Sequence, residues 1–180
     1  VKVSPTKRPE VYRLVAKLPV WQAFRIAGEM DLVLLLEAER LGATLVIHAH
    51  GDNLEALEKW VPRFPRLLAT TQVEPVEGLV YNFGGFTDGD RAAFLAEALE
   101  ARRIVLAGMD LGGRIGRYSK PWLTEAVEAN HRKRVKLQIA RELLGWLSRK
   151  IEILNLTVHG EPIPGVKKVS PQRLSLLLKD

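Results

Sequence analysis

Two short runs, ATLVIHA (43–49) and RIVLAG (103–108), are apolar at nearly every position and rich in β-branched residues. A strand with one wet face alternates polar and apolar side chains. A run without alternation must be covered on both faces, the signature of a parallel sheet between helices. Helical patterns lie between such runs. The sequence predicts a helix for LVLLLEAERLG with Asp31 as N-cap and Gly42 as its end, and others over 54–61, with Pro62 closing it, over 87–101, and from roughly Pro121 to Ser148. A short helix is also expected over 11–18, and further strands over 67–72, 79–83 and 151–158. Alternating strands and helices make the expected fold an α/β domain, with a mainly parallel sheet flanked by helices. The whole of 1–180 reads as one such domain, with a divergent segment over 1–30 and a C-terminal extension over 159–180. That extension holds Pro162, Pro164, Gly165 and Pro171 and is expected to be irregular, with one or two short strands.

In parallel sheets, ligands bind beyond the carboxyl ends of strands. Three expected strand ends here run into polar and glycine-rich stretches: His50-Gly51-Asp52-Asn53, the segment Gly84–Arg91, and Met109-Asp110-Leu111-Gly112-Gly113. Their convergence on one edge is the expected functional site. In GGFTDGDR, Thr87 and Asp90 stand at capping-box spacing, and the helix start would present N–H groups to an anion. Asp88 and Asp90 are the candidate Mg²⁺ ligands, since that ion takes one or two carboxylates with phosphate oxygens and waters. His48 and His50 share a strand face. A zinc site would need a third ligand such as His131 or His159, so the weighted reading has one ring packing within the strand and the other orienting Asp52 or touching substrate. No nucleophile stands beside these histidines, and neither a Walker loop nor a G-x-G-x-x-G fingerprint is present.

The net charge of +6 is concentrated: residues 114–150 hold ten Lys/Arg against three Glu. Arg114, Arg117 and Lys120, with Arg132, Lys133 and Lys136 on the following helix, read as a clamp for polyphosphate. Aromatic residues do not interleave with these cations, which disfavours a nucleic-acid partner. The longest apolar run near the N-terminus, LVLLL, has five residues, far short of a membrane span, and the sequence contains no cysteine. A cytoplasmic protein is expected, and the Arg- and Glu-rich composition fits a thermophile.

The strings HAHGDN (48–53), GFTDGDRA (85–92), AGMDLGGRIGRYS (107–119), K-x-x-K-L (133–137) and NLT (155–157) together resemble the archaeal 6-hydroxymethyl-7,8-dihydropterin diphosphokinases of methanopterin biosynthesis. The resemblance spans about residues 31–160 and implies a Rossmann-like three-layer αβα fold. It implies Mg²⁺-dependent transfer of diphosphate from ATP to a reduced pterin alcohol, with release of AMP, and leaves room for a homodimer. On that reading Asp88, Asp90 and Lys133 serve catalysis. His50, Asp52, Asn53, Gly85, Thr87, Gly89, Arg91, Ser119 and Lys136 hold the nucleotide, and Asn82, Asp110 and Tyr118 meet the pterin. The family also carries an upstream glycine loop resembling GAGPSL and an acidic turn resembling TDLDG. Here IAGEMD (26–31) stands at the place of the turn, with Glu29 and Asp31 as its carboxylates. The competing expectations are a nucleotide-sugar or other pyrophosphate-handling transferase, and a nucleotide-binding homologue without catalysis.

Overall fold

The computed structural model describes residues 22–24, 29–117, 123–157 and 159–177. The expected helix over 11–18 lies outside them. The chain divides into two compact units, one ending at Phe83 and the other running from Gly84.

The first unit is built on three parallel strands in the order β1 (Gln22–Phe24), β2 (Leu45–Ala49), β3 (Leu67–Thr71). Helix α1 (Glu29–Arg40) begins two residues before Asp31, which therefore lies inside the helix and is not its cap. The helix ends as its glycine predicts. Gly42 has φ +90°, its N–H donates to the Glu39 carbonyl and that of Ala43 to the Ala38 carbonyl, a Schellman closure. The first four residues of β2 are buried. Leu45 and Ile47 join Leu35 and Phe64 in the core on one face, while Val46 and His48 are covered on the other. That two-sided burial is the physical reason for the unbroken apolar run. Helix α2 (Leu54–Trp60) gives way to a single 3₁₀ turn, Val61–Arg63, so the chain continues through Pro62 before Phe64 turns it. The expected strand over 79–83 reduces to one parallel bridge from Tyr81 to Thr70. Leu79 and Tyr81 are exposed, so no apolar burial extends the pairing.

The second unit has three parallel strands in the order β4 (Ile104–Leu106), β7 (Ile153–Asn155), β8 (Lys167–Lys168). Helix α3 (Asp88–Ala98) precedes β4, and α4 (His131–Leu147) precedes β7. Phe94, Leu106, Ala140, Leu144 and Ile153 form the centre of its core. The Phe94 and Trp146 rings stack with centroids 5.8 Å apart. Helix α4 starts about ten residues later than its basic, apolar pattern predicts. Between β4 and α4 the chain instead forms a small antiparallel ribbon, β5 (Arg114–Ile115) with β6 (Val127–Glu128). Asn130 then caps α4, its side chain accepting the Lys133 N–H at 2.9 Å. The extension contains one short strand, β8, as expected, and also a helix, α5 (Pro171–Leu177), that was not. Ser170 accepts the Arg173 N–H at its start and Pro171 occupies the first turn, a legible helix-start signature. Both main sheets are parallel and helix-bearing, as the strand composition requires. Among the described residues, no helix is long and apolar enough to cross a membrane.

Candidate functional site

The loop before α3 is shaped by Asp90. This side chain has no solvent exposure, and its two oxygens accept the N–H groups of Phe86 at 2.6 Å and Thr87 at 2.8 Å. The Thr87 hydroxyl also donates to it, and the Thr87 side chain accepts the Asp90 backbone N–H, which closes a capping box. The sequence expectation of Asp90 as a Mg²⁺ ligand gives way to this role, because a carboxylate saturated by its own loop turns no face to a ligand. Asp88, in contrast, is exposed in the first turn of α3. The glycines upstream are conformational necessities. Gly84 and Gly85 have φ of +96° and +83°, and a Cβ on Gly85 would lie 2.7 Å from the Arg91 backbone. Arg91 folds back over the same loop, its Nη1 donating to the Gly84 carbonyl at 3.4 Å.

A cavity of about 180 Å³ lies at this helix start. It is lined by the N-cap Thr87 with Asp88 and Gly89 of α3, Met109 and Asp110 from the loop after β4, Arg114 from β5, and Lys133 from α4. Close packing holds it together: a Cβ on Gly89 would meet the Met109 sulfur at 2.5 Å. Two of the three expected strand ends therefore meet around one cavity, with two carboxylates, two cations and a helix N-terminus. That set can hold a phosphate chain, with the N–H groups and cations facing oxygens. Lys136, three residues beyond Lys133, places its Nζ 5.9 Å from the Phe86 ring centroid, over the entry to the same helix.

The Asp110 loop is set by residues that the sequence reading did not assign. Thr157 accepts the Met109 N–H at 2.9 Å, and Asn155 in turn accepts the Thr157 N–H at 2.8 Å. Leu111 adopts φ +49°, an unusual value for a leucine, while its side chain stays buried. The string NLT is thus a support for the loop after β4, delivered by the neighbouring strand β7. Buried polar residues directly after an apolar strand were the available signal.

The third strand end belongs to the first unit. Asn53 is buried and staples the turn: its amide donates to the His48 carbonyl at 3.0 Å and its Oδ1 accepts the His50 N–H at 3.2 Å. His48 is packed within the sheet, its Nδ1 3.0 Å from the Thr70 hydroxyl. His50 turns outward, with Nδ1 3.3 Å from an Asp52 oxygen, so one ring serves the strand and the other orients the aspartate. Asn82 donates to the Val73 carbonyl at 3.2 Å, also in this unit. No group of three or more His, Asp or Glu able to hold a metal occurs among the described residues. Tyr118, Ser119 and Lys120 lie outside those residues.

These features agree with sequence relationships. The family model described as 6-hydroxymethylpterin diphosphokinase MptE-like matches residues 27–116, half of the chain. The 6-hydroxymethyl-7,8-dihydropterin pyrophosphokinase of Pyrococcus furiosus is 57% identical over 113 residues, covering 63% of this chain and 48% of the relative. Its counterpart in Methanothermobacter thermautotrophicus is 51% identical over 127 residues, 70% of this chain and 53% of the relative. That of Methanocaldococcus jannaschii is 41% identical over 128 residues, 68% and 53% respectively. The chain spans about half the length of the curated relatives it matches. By the extent of the family match, the chain belongs to the 6-hydroxymethylpterin diphosphokinase MptE-like family.

Proposed function

We propose that this chain transfers diphosphate from ATP to 6-hydroxymethyl-7,8-dihydropterin. The pterin hydroxymethyl oxygen attacks the β-phosphorus of ATP. The bond from that phosphorus to the α,β-bridging oxygen breaks, AMP leaves, and the hydroxyl proton is released. No covalent enzyme intermediate is needed, so positioning and charge neutralisation supply the rate. The observation that carries the reading is the cavity at the start of α3, where Lys133 and Arg114 face the same space as Asp88 and Asp110. Backbone N–H groups at the α3 start and the two cations bind phosphate oxygens, and Lys133 neutralises charge on the transferring group. Hard carboxylate oxygens suit Mg²⁺, so Asp88 and Asp110 would hold it, where it would shield the phosphate charge. Asp90 and Gly85 keep the loop in its binding shape. His50 and Asp52 serve the nucleotide, and a Rossmann-like three-layer arrangement belongs to the same reading, supported by the parallel strand pairing in both units.

Wild-type protein given ATP, Mg²⁺ and the pterin alcohol should release AMP in step with the diphosphate ester. Lys133→Met should lower kcat by roughly 10²–10³-fold with the fold intact, the usual loss for one preorganised charge-stabilising group. Folded protein that releases no AMP, or an unchanged Lys133→Met, would sink the proposal. Metal-independent binding of ATP analogues without turnover would mark a nucleotide-binding homologue instead.

A further inference from the structure

A second cavity, of about 520 Å³, shares Asp110, Arg114 and Gly116 with the first, so one elongated ligand can reach both. Its remaining wall includes the turn His159-Gly160-Glu161. The two cavities differ in charge. The first has a helix N-terminus and Lys133 in addition to Arg114, whereas the second, among the described residues, gains the Glu161 carboxylate and His159 and no further Lys or Arg. The two carboxylates in its lining, Asp110 and Glu161, favour a ligand edge rich in N–H donors over a phosphate.

The position of Glu161 is fixed through the backbone. Its N–H donates to the Asp110 carbonyl at 3.0 Å. Gly160 has φ +121°, and a Cβ there would lie 2.2 Å from the Asp110 carbonyl oxygen, so only glycine brings the turn this close. Arg141 reaches one Glu161 oxygen at 3.5 Å, orienting the carboxylate from the α4 side. A Cβ built on Gly112 would stand 3.6 Å from Glu161 Cγ, in ordinary contact, so Gly112 lines the cavity directly beside the glutamate.

We infer that this second cavity receives the flat 2-amino-4-oxopyrimidine end of the acceptor, and that Glu161 is a specificity-determining residue accepting its ring N–H and exocyclic amine. This rests on the proposed pterin diphosphokinase reading. The two donors lie side by side on one ring edge and match the two oxygens of a carboxylate, the same fit by which guanidinium groups are held. The volume falls within the range of small-molecule sites, and glycine lining lets a planar ring approach the backbone.

The test follows the intrinsic fluorescence of 6-hydroxymethylpterin on titration with the whole chain, alongside an ATP analogue. Glu161→Gln should weaken pterin binding roughly tenfold or more while leaving the ATP analogue unaffected, since an amide presents only one acceptor. Gly112→Val, which adds bulk to the cavity wall beside Glu161 at a position without left-handed backbone, should weaken the pterin alone as well. Wild-type protein should also bind the 2-oxo analogue, which lacks the amine, at least tenfold more weakly, a measurement indifferent to how any variant folds. If wild-type protein binds the pterin but does not discriminate against the 2-oxo analogue, or Glu161→Gln binds as wild type, the inference is overturned and the diphosphokinase reading stands. If wild-type protein binds no pterin, both fall.

Discussion

Asp88 and Asp90 are two residues apart and chemically identical, yet the fold separates their work. Asp90 is sealed inside the loop with backbone N–H groups on both oxygens, while Asp88 faces the cavity. Asp90→Asn would turn an amide toward a donor and should cost about 1–3 kcal/mol of stability, read from urea unfolding. Asp88→Asn should change stability by no more than about 1 kcal/mol, the scale of a charge at a helix start, while reducing AMP release. Equal stability losses in the two variants would refute that division. Gly85→Ala should also lose at least about 1–2 kcal/mol, from left-handed backbone and contact with Arg91, and a melting curve unchanged from wild type would contradict the loop geometry. Spacing alone made Thr87 and Asp90 legible as a capping pair. It could not tell which aspartate stays wet, because that depends on where the Phe86 and Thr87 N–H groups point.

Element by element, the strands were legible where burial on both faces removed ambiguity, as in β2 and β4. They were not legible at 79–83, where an apolar string lies exposed and only Tyr81 pairs. Helix α4 shows the opposite failure. Its pattern extends back toward Pro121, but Val127 and Glu128 pair with Ile115 and Arg114 in a ribbon, a long-range contact with no local signature. The second sheet is also tied by charge in a way spacing does not reveal. Glu152 accepts from Arg103 at 2.6 Å and Lys167 at 3.0 Å, linking the residues just before β4 and β7 to the first residue of β8. Hydrogen bonds from Lys167 and then Arg103 hold its carboxyl below the ordinary value. A depressed folded value means the contribution is present above the unfolded value of about 4.3 and disappears as pH falls through the lower folded one. Wild-type stability should therefore fall more steeply than that of Glu152→Gln in this acid range. Parallel curves for the two proteins would show that the bridge contributes nothing, the common fate of exposed ion pairs.

At the scale of the molecule, the charge and the core follow the same division. The basic block at 114–150 lies wholly within the unit that starts at Gly84, and so do both cavities. That unit has its own apolar centre around Leu144 and Ile153, separate from the cluster of Leu35, Leu45 and Phe64 in the first. A unit with its own core can in principle fold alone. A fragment of residues 84–180 should therefore melt cooperatively and bind inorganic diphosphate, with affinity falling as salt rises, because Lys133 and Arg114 act through charge. A fragment that melts without cooperativity would show that the second core needs the first. The sequence supplied the residues for this division but not its boundary, because Phe83-Gly84 resembles the end of a strand and the start of a loop within one domain.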